Sequence, residues 1–256
     1  MSRMSRMSRF RRILFVLLFA ALPALAGAQP LTVSAAASLT QAFQDLAPAF
    51  ESAKPGVKLV FNFAASGVLL KQIAQGAPVD VFVSADQATV ARGVEQKLFD
   101  PATKRDFAFN SVVLVVPAQS TIEISSLKDL AAPAVRHIAV GKTATVPVGR
   151  YTRETLEAAG LWATLEPRFV YADSVRQVLD YVARGEAEAG FVYRTDAAIG
   201  GDKVRIVLTA QGHTPVSYPA VVVSESRNKA LAADFIAFLL GPQAQQVLAR
   251  HGFAQP

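Results

Sequence analysis

Four times along this chain an extended apolar run ends in small residues and opens directly into an amphipathic helix. The junctions are VSAAASLT (33–40), FNFAASGV (61–68), TATVPVGR (143–150) and VYADSVRQ (170–177). Strand and helix patterns alternate throughout, which predicts an α/β architecture with largely parallel sheets. In the first junction Phe43, Leu46 and Phe50 recur at helical spacing, and Ser38 reads as the N-cap of that helix. The first turn of a helix holds backbone N–H groups without a helical acceptor. Together with the helix dipole they favour an anion.

Residues 1–28 read as a secretory signal peptide. Arg3, Arg6, Arg9, Arg11 and Arg12 form a basic start, Ile13 to Leu22 an apolar run, and Ala26-Gly27-Ala28 a small-residue cleavage site. The apolar run is too short for a membrane span. Removing those five arginines from the 26 Lys and Arg leaves 21 against 20 Asp and Glu, a net charge of +1. The sequence pI of 9.7 is therefore mostly a property of the leader, and nucleic acid as a partner loses its electrostatic basis. Zero cysteines in an exported chain leave no disulfide framework and no thiolate metal site. The expected product is an exported protein, free in the periplasm and monomeric.

From residue 29 onward, FAFNSVVLVVP (107–117) is apolar and long enough to run from one lobe into another, and YPAVVV (218–223) is a second candidate crossing. This predicts lobe 1 from 29–108 plus 220–256 and lobe 2 from 109–219. Asp173-Ser174 and Asn228 read as helix caps, while 118–133 reads as a polar surface segment. Parallel α/β sheets bind ligands at the carboxyl ends of their strands. Two lobes sharing one cleft would bring together the hydroxyls of Ser38 and Ser66, N–H groups at several helix starts and the Tyr193 hydroxyl. Such a cage of neutral donors suits a spherical oxyanion with many acceptors and no proton to give.

At these residues the chain resembles the periplasmic molybdate-binding proteins of molybdate ABC importers. The likeness runs in order through VSAAASLTQAF, FAASGVLLKQI, APVDVFVSADQ, VPVGRYTRETL, DSVRQVLDYV, AGFVYRTDA, YPAVVV and GPQAQQVLARHGF, from about residue 31 to 253. The resemblance implies a two-lobed, type II periplasmic-binding fold with two crossing strands. It also implies an oxyanion held by the hydroxyls of Ser38, Ser66 and Tyr193 and by the backbone N–H groups of Val148 and Val175. Molybdate and tungstate are the implied ligands, a membrane permease is the implied partner, and neither a cofactor nor a resident metal is called for. Val148 stands where a smaller alanine is common, and Lys142-Thr143 where an acidic residue and a proline are common, which brings a cation toward the cleft.

Other signals are weaker. Gly141-Lys142-Thr143 lacks the earlier glycine of a phosphate loop, that position being Arg136. Ser125 and Lys128 have S-x-x-K spacing without companion motifs, and Ser66 lacks the flanking glycines of a nucleophile elbow. His137, His213 and His251 show no metal-ligand spacing, and Arg150, Arg153 and Arg176 read as solvated charges on helices. The alternatives to a molybdate carrier are a binder of another tetrahedral oxyanion, such as sulfate, and an exported hydrolase using Ser38 or Ser66. The hydrolase needs a base beside the hydroxyl, and no histidine lies near either serine in sequence.

Overall fold

The computed structural model describes residues 29–256; the leader read from the sequence lies outside the described residues. The chain opens with β1 (Gln29–Ala36), a 3₁₀ turn at Ala37–Leu39, α1 (Thr40–Ala53), β2 (Val57–Ala64), α2 (Ser66–Ala74), β3 (Val81–Val83), α3 (Gln87–Glu95) and β4 (Phe99–Asn110). It continues through β5 (Val112–Pro117), β6 (Ile138–Gly141), α4 (Pro147–Ala158), α5 (Trp162–Leu165), β7 (Phe169–Ala172), α6 (Val175–Ala183), β8 (Ala189–Tyr193), α7 (Arg194–Gly200) and β9 (Val204–Thr209). β10 (Val216–Val223), α8 (Lys229–Leu240) and α9 (Pro242–Arg250) complete it.

The strands form two five-stranded sheets, ordered β2-β1-β3-β10-β4 and β7-β6-β8-β5-β9. The order is the same in both: second, first and third strand, then a reversed strand, then the fourth. β10 is antiparallel to β3 and β4, and β5 to β8 and β9, while the other pairings are parallel. The largely parallel sheets expected from the sequence are thus mixed, with one reversed strand in each. That strand arrives from the other lobe, so the two connections are built into both sheets.

The first crossing is not one long strand. FAFNSVVLVVP divides at Ser111 into the end of β4 and the whole of β5, which lie in different sheets. The second expectation is corrected as well. YPAVVV lies wholly in the first sheet as part of β10, and residues 210–215 make the return. The two passages run side by side. Val113 pairs with Thr209, Ala210 N–H donates to Val112 O (2.9 Å), and Asn110 pairs with Val216.

Each lobe has its own apolar filling. In the first, Phe43 of α1 packs against Phe61, Phe107 and Phe235 at 5.8–6.0 Å between ring centroids, and Phe50 meets Phe235 at 5.1 Å. These residues hold α1 and α8 on the sheet. In the second, α6 buries Val175, Val178, Leu179 and Val182. Gly190 of β8 leaves room for that face, since a Cβ there would lie 2.7 Å from Val182 and 3.1 Å from Val178.

Local chemistry places the helix starts. Asp86 caps α3 by accepting from Thr89 N, and Ser174 caps α6 by accepting from Gln177 N. Asn228 occupies the cap position of α8, but its side chain bonds Asp80 and Pro30 O instead. Ser126 and Asp129 form a reciprocal capping box on a 3₁₀ turn, Leu127–Ala131, within the segment read as surface loop. α4 begins with Pro147, whose missing N–H has no helical use there. Gly149 then lets α4 sit directly on the end of β6: a Cβ would lie 2.0 Å from Gly141 O. Gly149→Ala should force that contact apart and destabilise the protein by about 1–3 kcal/mol. Urea denaturation of the purified variant measures this, and an unchanged midpoint would contradict it.

Candidate functional site

The first-lobe wall of the site comes from the ends of β1, β2 and β3. Ser38 does not cap α1. It sits inside the 3₁₀ turn Ala37–Leu39, and the cap position falls on Leu39, which makes no side-chain bond. Its hydroxyl is therefore not used by its own helix and lies 3.2 Å from Tyr218 Oη. Ser66 is the first residue of α2 and does not cap it either. Its Oγ accepts from Ala85 N at 3.1 Å, at the end of the neighbouring β3 strand. Both serines are buried.

The second-lobe wall repeats this logic with backbone groups. Val148 is the second residue of α4 and Val175 the first of α6. At those positions the N–H has no acceptor four residues back. Tyr193 ends β8; it is 1% exposed, and its hydroxyl has no hydrogen-bond partner among the described residues. Its ring stands edge-on to Tyr151 and to Tyr218, with centroids 6.5 and 6.0 Å away.

Direct bonds draw these two walls together. Gly67 N–H donates to Thr145 O at 2.9 Å across the lobes, and a Cβ on Gly67 would lie 2.7 Å from Thr145 Cα. Tyr151 Oη donates to Ala85 O at 3.3 Å. Arg150 pairs with Asp86 and donates to Thr89 Oγ1 at 2.8 Å. Arg176 donates to Ser38 O at 3.2 Å and to Gln41 Oε1 at 2.8 Å. Of the residues expected from the sequence, Ser38 takes part in these bonds directly, Ser66, Val148 and Val175 lie within three residues of one, and the Tyr193 ring meets Tyr218 of the first lobe. Two cavities flank this seam: one of about 770 Å³ beside Asp86, Phe109, Arg150 and Tyr151, and one of about 600 Å³ beside Ala37, Ala65, Ser174 and Arg176.

The reading of the arginines as solvated charges holds for Arg153, which is half exposed, bonded to Glu157 and stacked over Trp162. It is wrong for Arg150 and Arg176, whose side chains are about one-fifth exposed and tie the lobes together. A carboxylate accompanies each: Asp86 beside Arg150, and Asp196, with Oδ1 2.8 Å from Arg176 Nε but too oblique for a hydrogen bond. Lys142 pairs with Asp173 at 2.5 Å near the surface, so the cation expected near the cleft has a counter-charge. The local charge is thereby balanced inside the protein. Burial also pushes the Tyr151, Tyr193 and Tyr218 phenols upward, which keeps them as O–H donors.

Sequence reasoning missed Tyr218, Asn110, Tyr151, Asp86 and Asp196. Tyr218 and Asn110 were hidden in apolar runs taken for crossing strands, and the ion pairs join residues 20 to 64 positions apart. The serines' polar partners are a phenol and a backbone amide, so neither is bonded to a histidine. Among the described residues, no group of three or more His, Asp and Glu side chains is placed to hold a metal ion, and no helix is long and apolar enough to cross a membrane.

Two α/β lobes joined by paired passages and meeting at a buried polar seam define a two-lobed, type II solute-binding protein. The chain belongs to the bacterial extracellular solute-binding protein family, whose sequence model matches residues 31–254. It is 42% identical over 236 residues to the molybdate-binding protein ModA of Escherichia coli, covering 90% of this chain and 91% of that one. The corresponding protein of Haemophilus influenzae is 35% identical, with coverage of 90% and 91%. Among solved structures, the Azotobacter vinelandii periplasmic molybdate-binding protein superposes with a TM-score of 0.77 at 28% identity, covering 88% of this chain and 99% of that one. A sulfate-binding protein, SubI of Mycobacterium tuberculosis, shares the fold at 21% identity and a TM-score of 0.79, covering 89% and 87% of the two chains.

Asp196 gives the seam a pH signature. Complete burial raises its carboxyl to about 6, against the opposing pull of Arg176. Between the unfolded value near 4 and that of the folded protein, only the folded chain holds the proton. The stability from this group is therefore full at low pH and falls as pH rises through that window, by on the order of 3 kcal/mol. Urea unfolding of the wild type and Asp196→Asn from pH 4 to 7 should show the wild type losing stability relative to the variant. Parallel profiles would contradict the assignment.

Proposed function

We propose that this protein captures molybdate, and also tungstate, in the periplasm and delivers it to the membrane permease of an ABC importer. It acts as a monomer, without cofactor or catalysis. Lobe 1 comprises residues 29–110 and 216–256, and lobe 2 residues 111–215. The oxyanion is held between them by the hydroxyls of Ser38, Ser66 and Tyr193 and the N–H groups of Val148 and Val175. The observation that carries this reading is the Tyr193 hydroxyl, fully buried at the seam and unpartnered. An unsatisfied buried donor costs about 1–3 kcal/mol, and a bound oxygen acceptor would remove that cost. The close relatives named as molybdate-binding proteins supply the identity of the anion.

The charge balance at the seam supports the same reading. With each arginine accompanied by a carboxylate, a divalent oxyanion meets oriented dipoles and not net positive charge. Hydrogen bonds to a charged group are worth about 1.5–3 kcal/mol each. Several of them support tight binding even after part of that energy goes into ordering the lobes. A donor cage fixed by β-strand ends and helix starts also measures radius. Molybdate and tungstate are nearly equal in size, whereas the smaller sulfate leaves donors unpaired.

Calorimetry on the mature protein tests this directly. Molybdate and tungstate should bind one to one with similar affinity, and sulfate about tenfold more weakly or worse. Equal affinity for sulfate would reassign the protein to general oxyanion binding, and catalytic turnover of an ester probe would revive the hydrolase. Ser38→Ala and Ser66→Ala should each weaken molybdate binding by about 10- to 150-fold.

Tyr193→Phe keeps the ring and its edge-on packing while deleting the hydroxyl that would reach the ligand from lobe 2. A ligand favours the closed state only through contacts the open state lacks. The loss should therefore appear mainly as faster dissociation, worth about 1.5–3 kcal/mol, while the free protein should become no less stable, because the variant no longer buries an unpartnered hydroxyl. Stopped-flow fluorescence of Trp162, in the second lobe, follows this. Wild-type dissociation in the variant would remove Tyr193 from the site.

A further inference from the structure

A chain of polar side chains runs from the hinge to Ser38, and its hydrogen-bond directions can be worked out in order. Asn110 is the last residue of β4, immediately before the break at Ser111. The Ser111 backbone N–H lies 2.8 Å from the Asn110 side-chain oxygen. A backbone N–H can only donate, so this bond identifies the amide oxygen and fixes which way the amide faces. The amide nitrogen, which can also only donate, then gives its two protons to Thr195 Oγ1 at 2.9 Å and Tyr218 Oη at 3.2 Å.

Tyr218 is fully buried, and its hydroxyl has two polar neighbours, Asn110 and Ser38. It accepts from Asn110, so its own proton is left for Ser38 Oγ, 3.2 Å away. Ser38 Oγ is then an acceptor in that bond. Its proton has no other partner among the described residues. Ser66 reaches the same state by a shorter route: Ala85 N–H can only donate to Ser66 Oγ (3.1 Å), which leaves the Ser66 proton free. Two serines from different junctions are thus given one polarity by unrelated neighbours.

We infer that Tyr218 and Asn110 are positioning residues for the ligand site, orienting the Ser38 hydroxyl so that its proton points at the bound oxyanion. Neither has to touch the ligand. Asn110 also bonds Thr195 of the second lobe from the hinge itself, so the chain that aims Ser38 is anchored on both lobes. This inference rests on the oxyanion reading for its binding consequence, but not for the hydrogen-bond directions.

Two experiments test it. In a double-mutant cycle read by calorimetry with molybdate, Tyr218→Phe should weaken binding by about 2- to 10-fold in the wild-type background. It should have almost no effect in Ser38→Ala, where there is no hydroxyl left to aim. The same fold-loss in both backgrounds would mean that Tyr218 acts only through general packing, and the inference would be overturned. Neutron diffraction from deuterium-exchanged crystals of the ligand-free wild type gives the second readout. The Tyr218 deuteron should lie on the line to Ser38 Oγ; a Ser38 deuteron on that line would overturn the inference whatever the protein binds. Should the wild type show no heat with molybdate, the oxyanion reading fails, while the neutron map still decides the polarity.

Discussion

The pairing of each seam arginine with a carboxylate is the interaction on which the rest of the site depends. Arg150 and Arg176 are too deeply placed to be fully screened by water, and an uncompensated buried guanidinium would cost several kcal/mol. Asp86 pairs directly with Arg150, whereas Asp196, whose own burial is only partly offset, supplies a counter-charge to Arg176. They leave two rigid cross-lobe ties whose remaining N–H groups reach Thr89, Ser38 O and Gln41. The lobes are thereby held in register by charged groups that each have a carboxylate beside them.

The mixed sheets explain why the two halves stay coordinated. Each sheet includes a reversed strand entering from the other lobe, β10 in the first and β5 in the second. A displacement of one lobe is therefore transmitted through a strand hydrogen-bonded on both sides. Between the sheets the passages lie outside the strands only at Ser111 and in residues 210–215.

Much of this was legible in the sequence because its signals are local. A Phe43-Leu46-Phe50 stripe, a Pro147 start and a Ser174 cap each depend on residues within a turn or two. The five candidate ligand residues could be proposed because each lies at or beside a junction between a strand and a helix. What could not be read is what depends on register between distant segments. Ser38 looked like a cap because Ser before an amphipathic helix normally is one; its displacement into a 3₁₀ turn frees the hydroxyl for Tyr218, 180 positions away. Arg150 and Arg176 looked solvated because helix periodicity alone does not reveal a buried carboxylate on another element. YPAVVV looked like a crossing because an apolar strand fits a hinge and a sheet interior equally well, and only pairing with β3 and β4 decides between them.

The first crossing and the seam also share residues. Asn110 ends the first crossing and pairs with Val216, the first residue of the returning strand, while its amide reaches both Tyr218 in the first lobe and Thr195 in the second. A rotation at Ser111 large enough to separate the lobes must lengthen at least one of those bonds, because their acceptors lie on opposite sides of the break. Such a separation would therefore disturb the environment of Tyr218 and Ser38. The bonds that orient Ser38 are therefore anchored on both lobes, and the geometry of the seam belongs to neither lobe alone.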